Sequence, residues 1–280
     1  MINKVKIDEA LEYYNINQKY KGKCYQALNI INTNEKFIEA YKKVYRILFE
    51  EQFDNLKSLW SIESLDMLFC DNIEPFITNL LILSGYELHK RNMKKYHFDS
   101  NQIMIHKKRV KECFENDLKN RNYNGVRISQ MLWATYFIKI KIIEVGSLQF
   151  EYENTPNIKI HIPKNADISI EKVKESIELS KIEIKKVYNV DSGNYICNSW
   201  ILSPELHKII DKNTNISKFY NLFNVTKGEN CLQDILDFVF NVKHCNSFFE
   251  LEEKTSLQKL IKKELINNNE FYLGQGIFRK

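Results

Sequence analysis

The chain has 280 residues, a formal charge of +5 and 44% hydrophobic residues, with 17 Phe and 15 Tyr against only 8 Gly and 4 Pro. That composition excludes a disordered or collagen-like chain and leaves room for one large domain or two ordinary ones. Six scattered cysteines without a C-x-x-C pair argue against a disulfide scaffold or a structural zinc site, and they fit reduced thiols in a cytoplasmic protein.

In chain order, helical periodicity comes first. Phe37, Tyr41, Val44 and Leu48 recur on one face of NEKFIEAYKKVYRILFEE; Leu65, Met67 and Leu68 mark a second segment; Ile77, Leu80, Leu81, Leu83 and Leu88 mark a third. Ser84-Gly85 and HFDSNQ, His97 to Gln102, are the expected breaks. Between Tyr86 and Tyr123 stand ten basic residues and five acidic ones, a surplus of 10 − 5 = +5 that leaves the rest of the chain neutral. Such a cluster can attract nucleic acid or the phosphates of a nucleotide. Charge runs of this kind are usually solvated helix surface, so a nucleic-acid partner is the weaker expectation.

The pattern changes after Asn124. Alternation over Ile138, Lys139, Ile140, Lys141 and Ile142 predicts a strand, Gly146 a tight turn, and SLQFEY a returning strand, hence a hairpin. The apolar run from Met131 to Val145 is broken by Lys139 and Lys141 and is too short to span a membrane, and no basic-then-apolar leader opens the chain. IKIHIP, Ile158 to Pro163, reads as a strand with Ile158, Ile160 and Ile162 on one face and Lys159 and His161 on the other. A helix follows from Ser169 to about Tyr188, then a strand in YICNSWIL, then a helix begun by Ser203-Pro204-Glu205. Helical patterns occupy Ile216–Phe223, Leu232–Phe240 and Leu257–Ile266, and FYLGQGIF closes as a strand. The expected organisation is α+β: a helical N-terminal domain over residues 1–123 and a mixed α/β domain over residues 124–280, with a parallel step made by a helical crossover.

A parallel crossover puts ligands beyond the carboxyl ends of its strands, where a helix N-terminus offers unpaired N–H groups. Here that loop is Pro163-Lys164-Asn165-Ala166-Asp167. No G-x-x-x-x-G-K-[ST], G-x-G-x-x-G or G-x-S-x-G motif stands anywhere in the chain, which removes the commonest nucleotide and α/β-hydrolase signatures. Alternation in the strand after the crossover places Tyr195, Cys197 and Ser199 on one face and Ile196, Asn198 and Trp200 on the other. A register that brings His161 beside Cys197 or Ser199 would pair a base with a nucleophile, or poise a base for an attacking amine. The competing expectation is a satisfied core histidine and a cysteine serving as a small hydrophobe. Of the six histidines only His244 has a cysteine neighbour, Cys245, and adjacent residues cannot share one metal, so no metal is expected.

Four pieces then match, in order, a bacterial family of acyltransferases. They are Gly146–Glu151 (GSLQFE), His161-Ile162-Pro163, Cys197–Leu206 (CNSWILSPEL) and Asn213–Phe219 (NTNISKF). The chain resembles that family, which pairs a helical N-acyltransferase N-terminal domain with a GNAT-like C-terminal domain. The resemblance implies an acyl-CoA or acetyl-CoA donor bound where a strand splays from its neighbour, and transfer to an amine. Laid on this chain, the donor would lie near Lys164, Asn165 and Ala166. His161 would deprotonate the acceptor amine, Ser199 or Tyr195 would protonate the leaving thiolate, and Cys197 would be the acyl carrier in a covalent variant. The partners expected are therefore a small-molecule donor and an amine acceptor, with no membrane; the rival reading is a binding module that keeps the fold without turnover.

Overall fold

In the N-terminal half, the described helices run Lys4–Tyr13, Lys21–Asn32, Glu35–Phe49, Ile77–Ser84, Tyr86–Lys95, Ser100–Asn120 and Ile128–Ile138. The structure, a computed structural model, describes residues 2–50, 76–120, 125–152, 155, 157–242 and 244–279. The expected segment at Leu65 to Leu68 lies outside them, as do Cys70 and Arg121. Asn3 and Asn34 cap their helices by accepting the N–H of Lys6 and of Lys36, which fixes two of the starts. Ile77–Ser84 is buried from Ile77 to Leu83 and forms the centre of a core with Leu11, Val44, Leu48, Phe76, Phe114 and Phe137. The expected breaks fall where the helices stop, at Gly85 and at His97, whose φ is +52°.

Of the strand expected at Ile138 to Ile142, Ile138 ends a helix, Lys139 to Lys141 turn the chain and only Ile142 is in a strand. Residues 128–138 are helical because Met131, Leu132, Ala134, Thr135, Phe137 and Ile138 bury one face, a period the lysine-isoleucine alternation masked. Ile140 then takes the left-handed conformation, φ +55°, and the Lys141 and Ile140 amides bond Tyr136 O and Phe137 O, closing the helix as a glycine usually would. The first strand therefore begins only at Ile142.

By internal contacts the chain divides into two units, Met1–Ile143 and Glu144–Lys280. The sheet has six strands, β1 Ile142–Val145, β2 Leu148–Tyr152, β3 Ile158–His161, β4 Tyr195–Ser199, β5 Phe223–Asn230 and β6 Tyr272–Phe278, in the order β1-β2-β3-β4-β6-β5. Only β3 and β4 among the paired neighbours of known register are parallel, joined by the Ile170–Tyr188 helix. β5 corrects a further expectation. The helix at Asn215 ends at Tyr220, and the chain leaves it as an edge strand whose alternating Phe223 and Val225 pack while Asn224 and Thr226 face out.

Two joints hold this domain in register. At Gly146, φ is +63° and the Ser176 hydroxyl of the crossover helix lies where a Cβ would stand, 2.3 Å away; the same hydroxyl accepts the Ser147 N–H at 2.9 Å. The hairpin turn is thus clipped to the helix. At the end of β4, Ser199 caps a 3-10 turn, Trp200–Leu202, and Ser203 caps the Pro204–Ile209 helix. The hydroxyls of the YICNSWILSP segment serve this change of direction.

Candidate active site

Register decides which side chains meet. β3 and β4 align Ile158 with Tyr195 and Lys159 with Ile196, so Lys159 and His161 share a face with Ile196 and Asn198. Tyr195, Cys197 and Ser199 share the opposite face with Ile158 and Ile160. His161 is therefore not brought beside Cys197, Ser199 or Tyr195. The reason is burial: Ile158, Ile160, Tyr195 and Cys197 are all enclosed, and a one-residue slip would turn that apolar set to solvent. Tyr195 Oη bonds the buried Ser180 hydroxyl at 2.8 Å, and the Tyr195 ring meets Phe150 edge-on. Cys197 is 1% exposed, and burial pushes its thiol up to about 12. Ser199 accepts the Ile201 N–H at 3.3 Å. Three of the four side chains singled out from sequence thus have structural partners or are enclosed.

His161 has a different companion. Its Nε2 lies 2.6 Å from Oε2 of Glu151, a β2 carboxylate that is only 3% exposed, while the imidazole itself is half-buried. The β2–β3 register puts Gln149 beside His161 and Glu151 beside Lys159 on the same face, and Gln149 donates to Glu144 at 2.8 Å. That contact holds the imidazole ring in one orientation. Glu151 closes the GSLQFE segment, yet the sequence alone does not show that it meets His161. Its position in a hairpin strand alternating with Leu148 and Phe150, one residue in two apolar, was the available signal.

The parallel pair also opens. Pairing stops at Lys159 and Ile196, although β3 continues to His161 and β4 to Ser199. By the alternation of the ladder the next rung would join the Asn198 N–H to the Ile160 C=O, one step beyond the last recorded pair. Past the gap, Ala166 N–H bonds Pro163 O at 3.0 Å and Asn165 takes φ +65°, so Lys164 and Asn165 stand exposed on a tight turn. The 19-residue crossover helix begins after Ser169, which makes no side-chain capping bond. Asp167 folds back to accept the Ser169 N–H at 2.9 Å, which holds its carboxyl below the usual range. A parallel pair that ends short of its strands' carboxyl ends, beside a lysine and a helix start, suits an amide-bearing, phosphorylated chain.

Elsewhere, part of the basic cluster pairs with its own acids: Arg109 with Glu112 at 2.6 Å and Lys119 with Glu115 at 2.5 Å. Among the described residues no group of three or more His, Cys, Asp or Glu gathers to hold a metal, and no helix is long and apolar enough to cross a membrane.

A strand order with one parallel crossover, splayed at its carboxyl end beside a helix start, defines a GNAT-type domain. The chain belongs to the family of the GNAT-like C-terminal domain, whose model matches residues 127–278. Similar solved structures are an acyltransferase in complex with CoA and 10C-teicoplanin, 13% identical, covering 97% of this chain and 87% of that one with a TM-score of 0.75, and an acyltransferase in complex with decanoyl-CoA, 14% identical, covering 85% and 75% with a TM-score of 0.67. No curated protein matches the sequence.

Proposed function

We propose that the protein is an acyl-CoA-dependent N-acyltransferase that moves an acyl group directly to an amine. The observation that carries this reading is the His161–Glu151 pair standing at the mouth of the β3–β4 gap, within the domain of the GNAT-like family. The ligands of the similar structures, CoA and decanoyl-CoA, agree with it. The pantetheine arm enters the gap, with the phosphates toward Lys164, Asn165, Ala166 and the start of the crossover helix. His161 takes a proton from the acceptor ammonium, and the amine nitrogen attacks the thioester carbonyl. The developing oxyanion is held by backbone N–H groups in the gap, that of Asn198 among them. The C–N bond forms and the C–S bond breaks; the thiolate leaves and takes up the proton that the new amide nitrogen gives up, while the proton taken by His161 passes to solvent. No covalent carrier is needed.

Isothermal titration with acetyl-CoA and longer acyl-CoAs, together with thiol release in the presence of simple amines, tests the reading; no binding by any acyl-CoA would sink it. Direct transfer has its own check. With its thiol pushed to about 12, Cys197 carries almost no thiolate near neutral pH. In native protein treated with iodoacetamide, Cys197 is expected to stay unmodified while the less buried Cys245 reacts, and Cys197→Ala is expected to turn over normally. Activity lost in Cys197→Ala with folding intact would reinstate the acyl carrier.

A further inference from the structure

The face that carries His161 continues beyond the gap. Asn198 aligns with Gln275 of β6, and Gln275 with Thr226 of β5, so the row in line with His161 runs Asn198, Gln275, Thr226. All three are exposed, whereas Gln149 and Glu151 on the other side of His161 are buried. One step behind lies a second row: Ile196, Ile277 and Asn224, with Ile277 49% exposed. Neither the Asn198 nor the Gln275 carboxamide has a partner among the described residues. On this face Lys159 of β3 lies at one end of the rows, and past β6 at the other Arg279 Nε donates to Asn224 Oδ1 at 2.9 Å.

Resting on the acyl-transfer reading, we infer that this open shelf binds the body of the acceptor, and that Asn198, Gln275 and Thr226 select it. The two paired steps from Asn198 to Thr226 span about 10 Å, and the splayed β3–β4 step from His161 adds to that. An amine placed at His161 would therefore have its carrier lying across β4, β6 and β5. Carboxamides and a hydroxyl both donate and accept hydrogen bonds, and the middle of the row has no charge. The carrier that fits is neutral, hydroxyl- or amide-bearing along one edge and apolar on the underside that meets Ile196 and Ile277. A bare small amine would touch none of these groups.

The test uses amines in short and long pairs: glycinamide against a Ser/Asn-rich tetrapeptide amide, and glucosamine against its trimer. In at least one pair the long member is expected to have a kcat/KM at least about tenfold higher, as one or two added hydrogen bonds would give. Gln275→Ala with Thr226→Val should abolish that advantage and leave the short amine and acyl-CoA binding unchanged. Equal rates within both pairs, or an advantage that survives the double variant, would overturn the shelf. So would a dimer that dissociates on Gln275→Lys, which would give the face to a second copy. Absence of turnover with short and long amines alike would bring down the acyl-transfer reading and the shelf with it, so the short amines tell the two failures apart.

Discussion

Replacing His161 by alanine is expected to lower kcat/KM by about 10²–10⁴, the usual share of a positioned general base, with acyl-CoA affinity unchanged. An amine that arrives protonated cannot attack a thioester, and on the proposed acyl-transfer reading the imidazole, in line with Asn198 and the exposed row beyond it, is the base that deprotonates it. Because its Nε2 is held by Glu151 at 2.6 Å, the base is oriented before substrate arrives. Glu151→Gln should therefore give a smaller loss confined to kcat, since a carboxamide can turn either its oxygen or its nitrogen toward the ring and no longer selects one tautomer. Steady-state kinetics beside a donor titration separate the two steps. Normal turnover in His161→Ala would refute the assignment; unchanged kcat in Glu151→Gln would confine the carboxylate to a structural role.

The second large effect is on stability. A Cβ at Gly274 would stand 1.8 Å from the Leu202 carbonyl oxygen and 2.4 Å from its carbon, so Gly274→Ala forces backbone against backbone. No flexible side chain can yield there, and the cost is expected at the upper end of overpacking, about 3 kcal/mol. For a chain of this size that lowers Tm by roughly 6–12 °C. The β4–β6 ladder pairs Ser199 with Gly274, so the 3-10 turn after Ser199 must pass directly over β6. An unchanged Tm in Gly274→Ala would mean that the turn can lift away. Gly274 and Gly276 are thus held by close packing, with the exposed Gln275 between them.

Much of the mixed domain was legible because its signals are local. The crossover helix from Ile170 to Tyr188, the strand of alternating isoleucines before it and the serine-proline start after β4 each rest on residues a few positions apart. Where neighbours in sequence and neighbours in space disagreed, the reading failed. Residues 138–142 alternate like a strand, yet Phe137 and Ile138 are buried as the end of a helix. Phe223 looked like the last residue of a helix, and it opens the strand Phe223–Asn230 because β6 offers an edge some fifty residues later in the chain.

The site divides in the same way. By itself, the sequence determined that His161 lies on the polar face of its strand, that a parallel crossover follows, and that the YICNSWILSP segment ends in a capped helix, since alternation and capping depend only on spacing. Which residues share His161's face was decided by the tertiary structure alone. A parallel register has two settings that differ by one residue, and burial of Ile158, Ile160, Tyr195 and Cys197 against the crossover helix selects the one that turns His161 from the cysteine to Glu151, Asn198 and the open sheet beyond.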